Sequence, residues 1–116
     1  MSLWFRDKYP DTPFRIDIAA DMPLQPHQRG RLKSLHGKFS RGHPDMVIYA
    51  KTKKHCAYFI EMKTLKANLN TAHVRTQQKY HDILRSQCYK VDIIKGYDAI
   101  IKSIDKYMRK VKLCIK

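Results

Sequence analysis

Gly42-His43-Pro44-Asp45-Met46-Val47-Ile48-Tyr49-Ala50, followed after the polar Lys51-Thr52-Lys53-Lys54 by Cys56-Ala57-Tyr58-Phe59-Ile60-Glu61-Met62-Lys63, is the stretch that decides the fold. Two apolar runs around a short polar turn predict strands over 45–50 and 56–63, paired as a hairpin. Strand side chains alternate between faces. Phe59, Glu61 and Lys63 therefore share one side, and Tyr58, Ile60 and Met62 the other. Asp45 opens the first strand, and the hairpin can carry its carboxylate toward Glu61.

Upstream, Phe14 to Ala20 reads as a strand, with Phe14, Ile16 and Ile18 opposite Arg15 and Asp17. Residues 1–13 mix aromatics, charges and two prolines and are expected as an irregular or packed-on arm. Asp21 to Pro26 is a loop, and His27 to His36 is a short basic helix closed by Gly37. Downstream, Asn70 or Thr71 is placed to cap a helix over 73–87 that carries Val74, Gln77, Tyr80, Ile83 and Leu84 at helical spacing. Tyr89 to Ile94 is a strand. After Gly96 comes the clearest helix, with Tyr97, Ile100, Ile101, Ile104, Tyr107 and Met108 on one stripe, and residues 109–116 read as an edge strand or a frayed end. This order predicts an α/β fold, a small mixed β-sheet flanked by helices, in one domain over residues 1–116.

Charge narrows the partner. The chain has 24 Lys+Arg against 10 Asp+Glu, a formal net charge of +14, with 43% hydrophobic residues. That balance fits a folded protein with a polyanionic partner, since each phosphate contact releases condensed counterions. No apolar run approaches the roughly 20 residues that span a bilayer, and no signal-peptide pattern opens the chain, so a membrane partner is not expected. Cys56, Cys88 and Cys114 form no CxxC pair, which argues for free thiols and an intracellular protein rather than a zinc or disulfide framework.

Against that background Glu61 stands out. It is the one glutamate in 116 residues, and it lies inside an apolar run. A carboxylate there is costly unless compensated, and a second one, Asp45, raises the cost unless a cation sits between them. Mg²⁺ prefers oxygen ligands and retains water, so Asp45, Glu61 and the Met62 carbonyl form a plausible ligand set. Lys63 would orient the attacking water or stabilise charge on phosphate, and Gln77 can reach inward from the following helix. Singly these are weak signals, because Pro-Asp is an ordinary turn dipeptide and ExK on a strand is often a solvated pair. In combination they predict metal-dependent phosphodiester hydrolysis. Arg29, Arg31, Lys33, Lys38 and Arg41 precede the site as a basic strip for a nucleic-acid backbone, although a charge run is usually only a solvated face. His43 can contact phosphate or simply fill the loop. His27, His36, His55, His73 and His81 show no ligand spacing and are expected at the surface.

Gly42-His43-Pro44-Asp45, Glu61-Met62-Lys63-Thr64, Leu69-Asn70, Gln77 with Tyr80 and Leu84, and Val91-Asp92-Ile93-Ile94 together resemble the VRR-NUC domain, the virus-type replication and repair branch of the PD-(D/E)xK nucleases. The resemblance covers roughly residues 25–110. It implies a restriction-endonuclease-like core, Mg²⁺ or Mn²⁺ dependence and cleavage of DNA. Asp45 and Glu61 would be metal ligands, Lys63 the catalytic lysine and Gln77 the motif glutamine. Small members resemble structure-selective endonucleases of viral origin that act as homodimers on branched DNA such as four-way (Holliday) junctions in recombination and repair. The chain departs from the pattern twice. The glutamate of an N-terminal helix is missing, with neither Asp17 nor Asp21 matched by a motif, and Gln87-Cys88-Tyr89 stands where a glycine usually follows the motif helix.

Two other readings remain open at this level. One is a catalytically inactive, basic nucleic-acid-binding protein on the same fold; the other is an RNA-associated basic domain.

Overall fold

In the computed structural model, which describes residues 2–16, 25–28, 30–31 and 43–115, the chain runs α1 (Ser2–Lys8), β1 (Phe14–Ile16), β2 (Met46–Ile48), β3 (Tyr58–Lys63), α2 (Ala72–Ser86), β4 (Lys90–Lys95) and α3 (Tyr97–Ile115). Residues 26–28 and 30–31 are also helical, overlapping the basic helix expected there. The strands lie in the order β1-β2-β3-β4. β1–β2 and β2–β3 are antiparallel, and β3–β4 is parallel with α2 as its crossover, which makes the sheet mixed as expected.

Alternation sorts the two faces. Met46, Ile48, Tyr58 and Ile60 lie on one side and are buried against Ile100, Ile104, Tyr107, Met108 and Val111 of α3. Burying each such side chain contributes about 1.5–3 kcal/mol, so this stripe fixes α3 on the sheet. Phe59, Glu61 and Lys63 face the other way, toward α2. Thr71 caps α2, its Oγ1 accepting from the Val74 N–H at 3.2 Å.

Several expectations are corrected. Residues 2–8 form a helix rather than an irregular arm, because Phe5 is fully buried with its ring 5.0 Å from Phe14 and 5.2 Å from Tyr9. Residues 109–115 continue α3 rather than forming a strand or fraying. Val111 lies one turn beyond Tyr107 and Met108 and joins the core, while Leu113 is exposed, so the apparent alternation was helical periodicity. Tyr97 and Ile83, expected on inner stripes, are exposed. No helix among the described residues is long and apolar enough to cross a membrane.

The turn after α2 shows how the chain manages without glycine. Cys88 has φ +69°, in the left-handed region. Its N–H donates to Arg85 O at 3.2 Å and the Tyr89 N–H to Leu84 O at 3.3 Å, the paired bonds of a Schellman cap. Because a Cβ in this conformation costs roughly 1–2 kcal/mol, Cys88→Gly is expected to stabilise the fold by about 1 kcal/mol, after the entropy that glycine adds to the unfolded chain. A urea titration checks this; an unchanged or lower midpoint would show that the turn carries no strain.

Candidate active site

The site begins where the β2–β3 ladder stops. Met46 pairs with Ile60, so two residues further in the same register Met62 stands opposite Pro44. Proline has no N–H to give, and the ladder cannot continue through it. The Met62 carbonyl is left without a Pro44 N–H to accept from, and the Met62 N–H donates to the Asp45 Oδ2 at 2.9 Å. Ala57 and Lys63 present their carbonyls to β4-side donors, Lys90 N at 3.0 Å and Gly96 N at 2.9 Å. Strand alternation therefore turns the Met62 carbonyl toward the β2 side, the edge that holds Asp45. Pro44-Asp45 thus ends one ladder and brings a carboxylate and a main-chain carbonyl to the same edge.

Glu61 is only 4% exposed. Its Oε1 accepts from Gln77 Nε2 at 2.7 Å and lies 3.5 Å from Lys63 Nζ. Gln77 is itself buried and reaches across from α2, whereas Gln78 is exposed. Glu61 Oε2 is buried with no hydrogen-bond partner among the described residues. Burial first, then the nearby Asp45 carboxylate, push Glu61 up to about 7, against the opposing pull of Lys63 and Gln77. That is the signature of a carboxylate pair short of positive charge.

A divalent cation fits this donor set. Glu61 Oε2 is an orphaned acceptor, Asp45 is close enough to perturb it, and the Met62 carbonyl faces the same edge. Among the described residues no three His, Cys, Asp or Glu side chains converge as a metal cage. A cation here would complete its shell with a main-chain oxygen and water, the habit of Mg²⁺ rather than Zn²⁺.

His43 stands at the rim. Its Nδ1–H donates to the Pro44 carbonyl at 2.7 Å, and its ring meets Phe59 and Tyr80 edge-on at 6.1 and 5.8 Å. Arg31 is helical and exposed. Arg29, Lys33, Lys38 and Arg41, with Asp17 and Asp21, lie outside the described residues.

His81 corrects the sequence reading, which placed it at the surface. It is fully buried one turn beyond Gln77, and neither ring nitrogen has a hydrogen-bond partner among the described residues. Its i+4 spacing from the buried Gln77 is the signal in the sequence that sets it on the inner face of α2. His55, also expected at the surface, is half-buried, as the turn folds back toward β4.

No protein-family profile and no curated protein match the chain. A solved structure described as a VRR_NUC domain protein superposes with a TM-score of 0.59 at 23% identity, over 74% of this chain and 66% of that one. The chain therefore spans just under two thirds of that structure's length. The likeness shows a VRR-NUC-like fold, the fold expected from the sequence.

Proposed function

We propose that the protein is a Mg²⁺-dependent endonuclease that hydrolyses DNA phosphodiester bonds, with Mn²⁺ able to substitute. The observation that carries this reading is the convergence of Asp45, Glu61, Lys63 and Gln77 around an unpartnered carboxylate oxygen. A bound divalent cation would polarise the phosphodiester and make water acidic enough to attack near neutral pH. Asp45 and Glu61, with the Met62 carbonyl, would hold it. Gln77 fixes the Glu61 rotamer through Oε1 and leaves Oε2 for the cation. Lys63 is 17% exposed at its side chain, so its ammonium can face solvent, orient the incoming water and neutralise charge growing on phosphate.

The basic chain and the exposed Arg31 favour a nucleic-acid substrate. We extend the proposal to branched DNA, including four-way junctions. One site cuts one strand at a time, so symmetric resolution would require a homodimer with paired sites.

Linear duplex, single strand, flap and four-way junction, each labelled and incubated with Mg²⁺, Mn²⁺ or EDTA, test this reading. Cleavage is expected with either metal and should vanish in EDTA, with the junction or flap cut fastest. Either metal should also raise the melting temperature, because it binds the folded chain selectively, and Asp45→Asn should remove that rise. Salt-sensitive binding without cuts under any metal would overturn the nuclease and leave a binding protein on the same fold.

A further inference from the structure

Behind the sheet, on the face away from Glu61, lies a cavity of about 150 Å³ whose lining includes His55, Tyr58, Lys90, Asp92, Lys106 and Lys110. That space is large enough for one tetrahedral oxyanion. Two elements build it. The β3–β4 register sets Lys90 beside Tyr58, with Asp92 two residues on along the same face. α3 contributes Ser103, Lys106 and Lys110 at i, i+3 and i+7, which share one helical face.

The charges do not cancel. Asp92, the cavity's carboxylate, is already engaged: Tyr58 donates its hydroxyl to Oδ2 at 2.7 Å, and Lys90 Nζ is 3.6 Å from the same atom. Burial, then the bond to Asp92, push the Tyr58 phenol well up, so it stays a neutral donor. Lys106 and Lys110 form no ion pair among the described residues. Three lysines thus line the cavity with one carboxylate. The positive field is visible at His55, whose imidazole is held below its usual range by burial and then by Lys90, Lys110 and Lys54.

We propose that this cavity is a seat for a phosphate group of nucleic acid. A phosphate offers several acceptor oxygens and up to two charges to donors that arrive from two directions, Lys90 on the sheet and Lys106 and Lys110 on α3. Because the seat lies across the sheet from Asp45 and Glu61, it holds a segment other than the one at the carboxylate pair. It is independent of cleavage.

The test is binding in EDTA, where no metal-dependent cutting can occur. Fluorescence anisotropy of a labelled duplex over a salt series gives the slope of log K against log salt for wild type, Lys106→Ala/Lys110→Ala and Lys112→Ala. Lys112 is exposed on the same helix but outside the cavity. The double variant is expected to lower the slope by about 0.9, for the one phosphate no longer neutralised, with Lys112→Ala close to wild type. A change in the double variant no more than twice that in Lys112→Ala would overturn the seat, since it would report general charge alone. Inorganic phosphate followed by amide NMR separates the sources. Shifts at His55 and Ser103 that vanish in the double variant, with the DNA slope unchanged, would make this a free-phosphate site and overturn the nucleic-acid assignment. Matching thermal melts establish that both variants fold.

Discussion

Lys63→Ala is expected to slow phosphodiester cleavage by about 10²–10⁴-fold, the range for losing a positioned proton-transfer or charge-stabilising group, with DNA binding in EDTA nearly unchanged. The fold should tolerate the substitution, because Glu61 keeps its 2.7 Å bond from Gln77 and Lys63 lies on the partly exposed rim of the site. Asp45→Asn is the sharper companion. An asparagine retains an oxygen that can accept the Met62 N–H, so the end of the β2–β3 ladder stays closed, but it loses the negative charge. If Asp45 merely terminates the strand, this variant should cut as wild type does. If the carboxylate helps hold a cation, activity should fall as far as in Lys63→Ala and the melting-temperature rise with Mn²⁺ should disappear. Normal turnover in either variant would remove these residues from the chemistry.

How far the site could be read without coordinates depends on the range of each signal. Period-two alternation is local, and it placed Glu61 and Lys63 on one face and Tyr58 and Ile60 on the other. The hairpin joining Asp45 to that strand was equally local, since a short polar turn implies antiparallel pairing. Gln77 needed only the phase of one helix. Other features fail this test of range. The role of Pro44 appears once the register sets it opposite Met62. α1 has seven residues, too few for a convincing apolar stripe, and it depends on Phe5 reaching the core. The phosphate seat draws on residues from 55 to 110, which only the β3–β4 register and the crossing of α3 assemble. Cys88 shows a different limit. The turn after α2 lacks a glycine, yet a Schellman cap forms there with a cysteine in the left-handed conformation.

His81 should make the fold acid-labile. Burial first, then the Arg85 guanidinium, with Lys63 and His43 adding to it and Asp82 opposing, hold its imidazole down at about 4 against an ordinary 6.5. Between those values the unfolded chain takes up a proton that the folded chain refuses, so stability rises with pH across that window. The contribution is fully present above pH 6.5, is lost progressively as pH falls, and is gone below about pH 4. The interval corresponds to about 3 kcal/mol, a large fraction of the stability of a small domain. His81→Leu should flatten this limb of the pH–stability curve. It should also stabilise the fold at neutral pH by roughly 1–3 kcal/mol, because it replaces two buried nitrogens without hydrogen-bond partners among the described residues by apolar surface of similar size. Urea midpoints at pH 7.5, 6 and 4.5 for both proteins decide the matter. Parallel curves would mean that the imidazole is not the group being titrated. A destabilised His81→Leu at pH 7.5 would mean that the ring nitrogens are satisfied in solution, with ordered water the natural partner.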